Sequence, residues 1–203
     1  MFEVRIHGRG GQGVVTAAEL LAVAAFEEGR FAQAFPSFGS ERTGAPVVSY
    51  CRLDERQIRT REPVVAPDAL IVLDPTLVHQ VDLFSGLSPE GFVLVNTTRT
   101  FDALGLGSLL DRFREDRLVT VPASEMAQRH TGRPVPNAVL LGGFAAVTAE
   151  VSLSAVVTAV RDRFGSEPSV AEGNVAAAAA AYAYVRQQMR GVPGEAMLSA
   201  PPD

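Results

Sequence analysis

The sequence predicts an α/β fold: a mostly parallel sheet with helices on both faces and a C-terminal helical segment. Three observations carry this. Ala69–Leu73 and Phe92–Val95 are continuous apolar runs of strand length, the pattern of strands buried on both faces. Helix-length segments alternate with such runs from Val14 onward. Between the first strand and the first helix stands Gly8-Arg9-Gly10-Gly11-Gln12-Gly13, a Rossmann-like arrangement.

The elements follow in order. Phe2-Glu3-Val4-Arg5-Ile6 alternates apolar and polar residues and predicts the first strand, with His7 at its end. The glycines after it tolerate positive φ and let other groups approach the backbone, so they form a concavity facing the first helix, Val14–Glu28. Phe31–Phe35 predicts a second strand ending in Pro36-Ser37, and the loop to Pro46 leads into a β-rich run, Val47–Leu53. Asp74-Pro75 follows Ala69–Leu73 and opens a short helix near Thr76–Gln80. Ser88–Gly91 is a turn before Phe92–Val95 and Asn96; a helix is expected from Ser108 to Arg114, then a strand at Leu118–Val121. Pro122-Ala123-Ser124-Glu125 opens another helix. Beyond Pro136, Asn137–Val151 is apolar and small with Gly142 and Gly143 paired, Ser154–Phe164 is amphipathic, and Ser169–Met189 is a long alanine-dense helix. Residues 1–190 read as one domain and 191–203, without periodicity, as a flexible tail. So many small helical residues imply helices pressed closely against this chain's own sheet or against a partner subunit.

Composition narrows the chemistry. A chain of 203 residues, 47% hydrophobic, can bury a core without disulfides. Its single cysteine, Cys51, excludes a disulfide framework and any multi-cysteine iron–sulfur or zinc site within this chain; lying in an apolar run, it reads as a buried inert thiol. All 18 basic residues are arginine, which excludes a Schiff-base lysine and a P-loop lysine. A net charge of −5 with no basic run argues against nucleic acid. With no leader before Phe2 and no uninterrupted apolar span of about 18 residues, a cytoplasmic protein that does not enter the membrane is expected.

Gly8-x-Gly10-x-x-Gly13 meets the spacing of a dinucleotide turn, but the acid wanted about 20 residues on is missing: Gly29–Ser40 holds no Asp or Glu. The residues leave three uses open: a nicotinamide or flavin site, an anion-binding turn, or a turn that lets helix and sheet pack. The candidate cofactor-binding residues are Gly8, Arg9, Gly10, Gly11, Gln12 and Gly13, with Phe38, Gly39, Ser40, Glu41, Arg42, Thr43 and Gly44 from the second loop. There the Arg42 guanidinium suits a phosphate or carboxylate, the plain alternative being a solvated pair with Glu41. Asn96 joins them because it ends a buried strand, where open sheets gather ligands; turn capping is its plain alternative. His7, His79 and His130 have no nucleophile or acid arranged near them, and no cluster has metal-ligand spacing. Neither a catalytic residue nor a metal site of its own is expected.

Three segments then stand in a telling order: Gly-Arg-Gly-Gly-Gln-Gly-Val at 8–14, Pro-Ser-Phe-Gly-Ser-Glu-Arg-Thr-Gly-Ala-Pro-Val at 36–47, and Pro-Asn-Ala-Val-Leu-Leu-Gly at 136–142. With Glu172-Gly173-Asn174-Val175 opening the last helix, the chain resembles, over nearly its whole length, the gamma subunit of pyruvate or related 2-oxoacid:ferredoxin (flavodoxin) oxidoreductases. The resemblance implies oxidative decarboxylation of a 2-oxoacid with coenzyme A, giving acyl-CoA, CO2 and reduced ferredoxin. It implies thiamine diphosphate, Mg2+, iron–sulfur clusters and coenzyme A as cofactors of the assembly, none held by this chain alone. It implies alpha, beta and ferredoxin-like delta subunits as partners, and ferredoxin or flavodoxin as acceptor. Gamma subunits are associated with assembly and with the approach of coenzyme A, which makes the glycine turn and Arg42 candidates for its phosphates. The loop Ser37–Pro46 resembles pyruvate-type and branched-chain-type members most, and pyruvate is the leading expectation. The alternative is a stand-alone nucleotide- or coenzyme A-binding Rossmann-like module without decarboxylase partners.

Overall fold

Five strands point one way and one is reversed. The computed structural model describes residues 1–37 and 44–191, and its sheet runs in the order β2-β3-β1-β4-β5-β6. The strands are β1 (Phe2–Arg9), β2 (Phe31–Pro36), β3 (Pro46–Asp54), β4 (Ala69–Val72), β5 (Phe92–Asn96) and β6 (Leu118–Val121). β1, β4, β5 and β6 pair in parallel, whereas β3 is antiparallel to both β1 and β2. The mostly parallel sheet thus stands, with a reversal inside it that the sequence pattern did not reveal. Its cause is chain length. A parallel crossover needs about a dozen residues or more, and the connection from Pro36 to Pro46 is too short for one. β3 therefore lies between β1 and β2, and moves β2 outward from the place it holds in a dinucleotide fold.

The helices are α1 (Val14–Glu27), α2 (Ala123–Thr131), α3 (Asn137–Thr148), α4 (Leu153–Phe164) and α5 (Pro168–Gly191). The expected tail from 191 onward lies, beyond Gly191, outside the described residues. All five contribute to one core, against Val4, Ile6, Cys51, Leu53, Ile71 and Leu94 of the sheet. The opposite core forms on Leu70, Val72, Val93 and Val95 and is closed by loops and short 3-10 turns, with Leu77, Leu83, Leu104, Leu109 and Phe113 pointing in. Both faces are covered by helical elements, but only one by α-helices. The helix expected over Ser108–Arg114 is a 3-10 turn at Gly107–Leu109, which follows Gly105 in a left-handed conformation (φ +74°) that α-helix cannot include.

Alternation along β1 sends Val4 and Ile6 to the α-helical face and Arg5 and His7 to the other. Arg5 is buried there, its Nη2 donating to the carbonyls of Leu83 (2.6 Å) and Ser85 (2.7 Å). Cys51 is fully buried, and burial pushes its thiol far up, consistent with an inert thiol. Among the described residues no helix is long and apolar enough to cross a membrane.

Candidate functional site

Strand pairing brings the two glycine-bearing motifs together. β1 continues through Gly8 and Arg9, which pair with Val47 and Pro46 of β3. Beyond the strand ends, the Gly10 N–H donates to the Ala45 carbonyl (3.1 Å) and the Gly44 N–H to the Gly10 carbonyl (3.5 Å). The turn itself is therefore residues 10–13. Phe38, Gly39, Ser40, Glu41, Arg42 and Thr43 lie outside the described residues.

The glycines of the first motif divide by task. A Cβ on Gly8 would lie 2.6 Å from Val14 Cγ2 and 3.0 Å from Leu73 Cβ, so its absence lets α1 and the end of β4 close on β1. Gly13, the N-cap of α1 at φ +78°, nests against Asn137, whose Nδ2 would be 2.4 Å from a Cβ there. Here the Pro136-Asn137 motif meets the first one. Gly11, at φ +95°, has open space around it among the described residues. Among the described residues no side chain caps α1 and no acid lies in its first turn, so the partial positive charge of that helix end is not offset from within the helix.

Arg9 and Gln12 are turned inward. Arg9 donates from Nε to Asp74 Oδ2 (3.1 Å), from Nη1 to the Gly44 carbonyl (3.0 Å), and from Nη2 to Thr76 Oγ1 (2.9 Å) and Gln80 Oε1 (2.8 Å). Gln12 accepts from the Arg9 N–H (2.8 Å) and donates to Asp74 Oδ2 (2.9 Å). Burial is the largest influence on Asp74 and would raise its carboxyl. The hydrogen bonds from Thr76 and Gln12 and the Arg9 charge outweigh it, and the net shift is downward.

Asn96 stitches three elements. Its Nδ2 donates to the Leu73 carbonyl and to Ser124 Oγ (both 2.8 Å), and its Oδ1 accepts from the Ser124 N–H (3.0 Å) at the start of α2. Beside it a cavity of about 290 Å³ opens at the carboxyl ends of the strands, lined among others by Gln12, Asp74, Asn96, Thr97, Ser124 and Glu125. This is where open α/β sheets bind ligands. The structure thus joins Gln12 and Asn96 in one cavity. Asp74, Thr97, Ser124 and Glu125 were missed in the sequence. Their signal was position alone: each stands one to four residues beyond the end of a parallel strand. Replacing Asn96 by alanine leaves the Leu73 carbonyl and the Ser124 N–H without partners. The expected cost is about 2 kcal/mol, read as a fall in the urea midpoint at unchanged slope.

The cavity offers the carboxamides of Gln12 and Asn96, the hydroxyls of Thr97 and Ser124 and the carboxylates of Asp74 and Glu125, a lining suited to hydrogen-bonding a ligand. His7 is buried on the other face of β1, where Nε2 has no partner; burial first, and Arg5 second, lower its pKa to about 4. His79 lines a neighbouring cavity of about 320 Å³ with Gln80 and Arg99. Among the described residues no three of His, Cys, Asp and Glu are placed to hold a metal ion.

Residues 3–184 match the family model described as pyruvate ferredoxin/flavodoxin oxidoreductase. Pyruvate synthase subunit PorC of Methanothermobacter marburgensis is 44% identical over 182 residues, covering 90% of this chain and 96% of that one. The pyruvate/ketoisovalerate oxidoreductases common subunit gamma of Pyrococcus abyssi is 42% identical over 184 residues, covering 90% and 96%. The crystal structure of pyruvate oxidoreductase subunit PORC from Thermotoga maritima superposes with a TM-score of 0.75 at 34% identity, covering 90% of this chain and 95% of that one. The family model and these relatives span nearly the whole chain, which belongs to the pyruvate ferredoxin/flavodoxin oxidoreductase family, among its gamma-type subunits.

Proposed function

We propose that this chain serves a pyruvate-type 2-oxoacid:ferredoxin oxidoreductase as its gamma subunit. The assembly converts a 2-oxoacid and coenzyme A to acyl-CoA, CO2 and reduced ferredoxin. The observation that carries the reading is the likeness to gamma-type subunits across residues 3–184, free of large insertions or losses. Alpha, beta and ferredoxin-like delta subunits complete the enzyme, with ferredoxin or flavodoxin as acceptor and the cytoplasm as its compartment. Thiamine diphosphate, Mg2+ and the clusters belong to the partner chains in this reading; a cluster takes four thiolates, and this chain has one cysteine.

The chain's own part is to bind. Open backbone around Gly11 and the uncapped start of α1 offer N–H donors and partial positive charge to a phosphate. The second loop, Phe38–Gly44, brings Arg42, and the cavity beside Asn96 takes an uncharged, hydrogen-bonding part of coenzyme A. Purification from the native host is expected to recover the chain with thiamine- and cluster-containing partners; a monomer without them would favour the stand-alone binding module. In the assembled enzyme Arg42→Ala is expected to weaken coenzyme A about tenfold, the loss of one charged hydrogen bond. Unchanged affinity removes Arg42 from the site.

A further inference from the structure

We infer that Arg9 is a positioning residue of this site and not an anion ligand: its guanidinium clamps the glycine turn, Gly44 and the 3-10 turn Pro75–His79 around Asp74. The inference rests on the coenzyme A reading above. A guanidinium has five N–H donors, and Arg9 places four of them on Asp74, Gly44, Thr76 and Gln80. A phosphate taken bidentately would need two donors side by side, and so would break the clamp. It would also meet the Asp74 carboxylate, only 3.1 Å from Arg9 Nε. Asp74 is equally engaged: Oδ1 accepts from the Thr76 N–H (2.9 Å) and from Thr76 Oγ1 (2.6 Å), while Oδ2 takes Arg9 and Gln12.

The clamp joins segments far apart in sequence beside two neighbouring cavities, Thr76 and Gln80 lining the one that holds His79. Gln12 and Asp74 line the other, beside Asn96. Lysine cannot reproduce this geometry, because its three donors radiate from one nitrogen and cannot span four acceptors on two segments. The two roles of Arg9 predict opposite signs for Asp74. If Arg9 binds an anion, removing Asp74 frees the cation and tightens coenzyme A. If Arg9 positions the site through Asp74, removing Asp74 weakens it.

The test uses the assembled enzyme carrying Arg9→Lys, Asp74→Ala, the double variant, and Gln80→Ala as a mild change at an exposed acceptor. Amide hydrogen exchange is followed across 8–12, 44–48 and 75–80, and KM is measured for coenzyme A and for the 2-oxoacid separately. Both single variants are expected to speed exchange in all three segments and raise KM for coenzyme A about fivefold, leaving KM for the 2-oxoacid in place. The double variant is expected to be no worse than the stronger single, and Gln80→Ala to shift exchange and KM in the same direction by less. Exchange at wild-type rates in Arg9→Lys and Gln80→Ala overturns the clamp. So does an Asp74→Ala enzyme that binds coenzyme A more tightly. Faster exchange with an unmoved KM for coenzyme A instead overturns the coenzyme A reading of the cavity, so the two failures are told apart.

Discussion

Replacing Gly142 with alanine is expected to lower the melting temperature of the chain by roughly 10 °C, a large effect for one methyl group. α3 is buried on every side from Asn137 to Val147, and it crosses α5 with backbone against backbone. A Cβ on Gly142 would stand 2.0 Å from the Ala178 carbonyl oxygen, 2.7 Å from its carbon and 2.9 Å from Ala178 Cα. No rotamer can relieve this, because the obstacle is main chain in the middle of a helix. The two helices must separate, and the core between them loses its fit. Overpacking of this kind costs about 3 kcal/mol, and about 3 °C accompanies each kcal/mol at this chain length. Gly143→Ala is the control. Its nearest neighbours would be the ends of Val121 and Val185, both at 3.4 Å, with Leu94 at 3.5 Å. Those side chains can give slightly, and alanine favours helix over glycine by up to about 1 kcal/mol. Its melting temperature is expected to stay level or rise. Thermal unfolding by circular dichroism checks both, and equal values for the two variants would rule out the close crossing.

The paired glycines were visible in the sequence, but which of them touches backbone was not. Spacing along one helix places both in an apolar segment; only the crossing point with α5 separates them. The same limit applies across the fold. Strands and helices were legible because their periodicity is local: Leu118–Val121 is β6 as read, and α1 and α4 begin or end within a residue of their expected bounds. The reversal of β3 was not, since apolar alternation carries no direction. In the candidate site, Gly8–Gly13 announced itself through composition. Asp74 did not, because its partners Arg9 and Gln12 lie 65 and 62 residues away and an Asp-Pro pair reads equally well as a helix cap. It is that cap as well, accepting from the Thr76 N–H. Arg9 was equally hard to read: sequence shows a cation beside glycines and hides the acceptors on Asp74, Gly44, Thr76 and Gln80.

His7 supplies the other large effect, and it appears only in acid. Its folded pKa of about 4 lies below the ordinary value of 6.5, chiefly because burial penalises the imidazolium and secondarily because Arg5 repels it. A depressed histidine pKa means that the fold prefers the neutral ring. The stability this contributes is complete above pH 6.5, declines as the ring in the unfolded chain takes up protons, and is gone at pH 4 and below. At 1.36 kcal/mol per pH unit the loss over that window is about 3 kcal/mol. Carboxylates also lose stabilising contacts in acid, so the informative quantity is a difference. His7→Gln keeps a neutral polar side chain on β1 and does not titrate. Urea unfolding at pH 7, 5.5 and 4 is expected to show the wild type losing about 3 kcal/mol more than the variant, with most of the divergence below pH 6. Parallel curves would mean that the ring is charged or solvated in the fold. The direction also bears on function. A ring on the other face of β1 that stays neutral well below pH 7 adds no charge to the glycine turn. Whatever anion affinity the glycine turn has must then come from backbone N–H groups and from arginine.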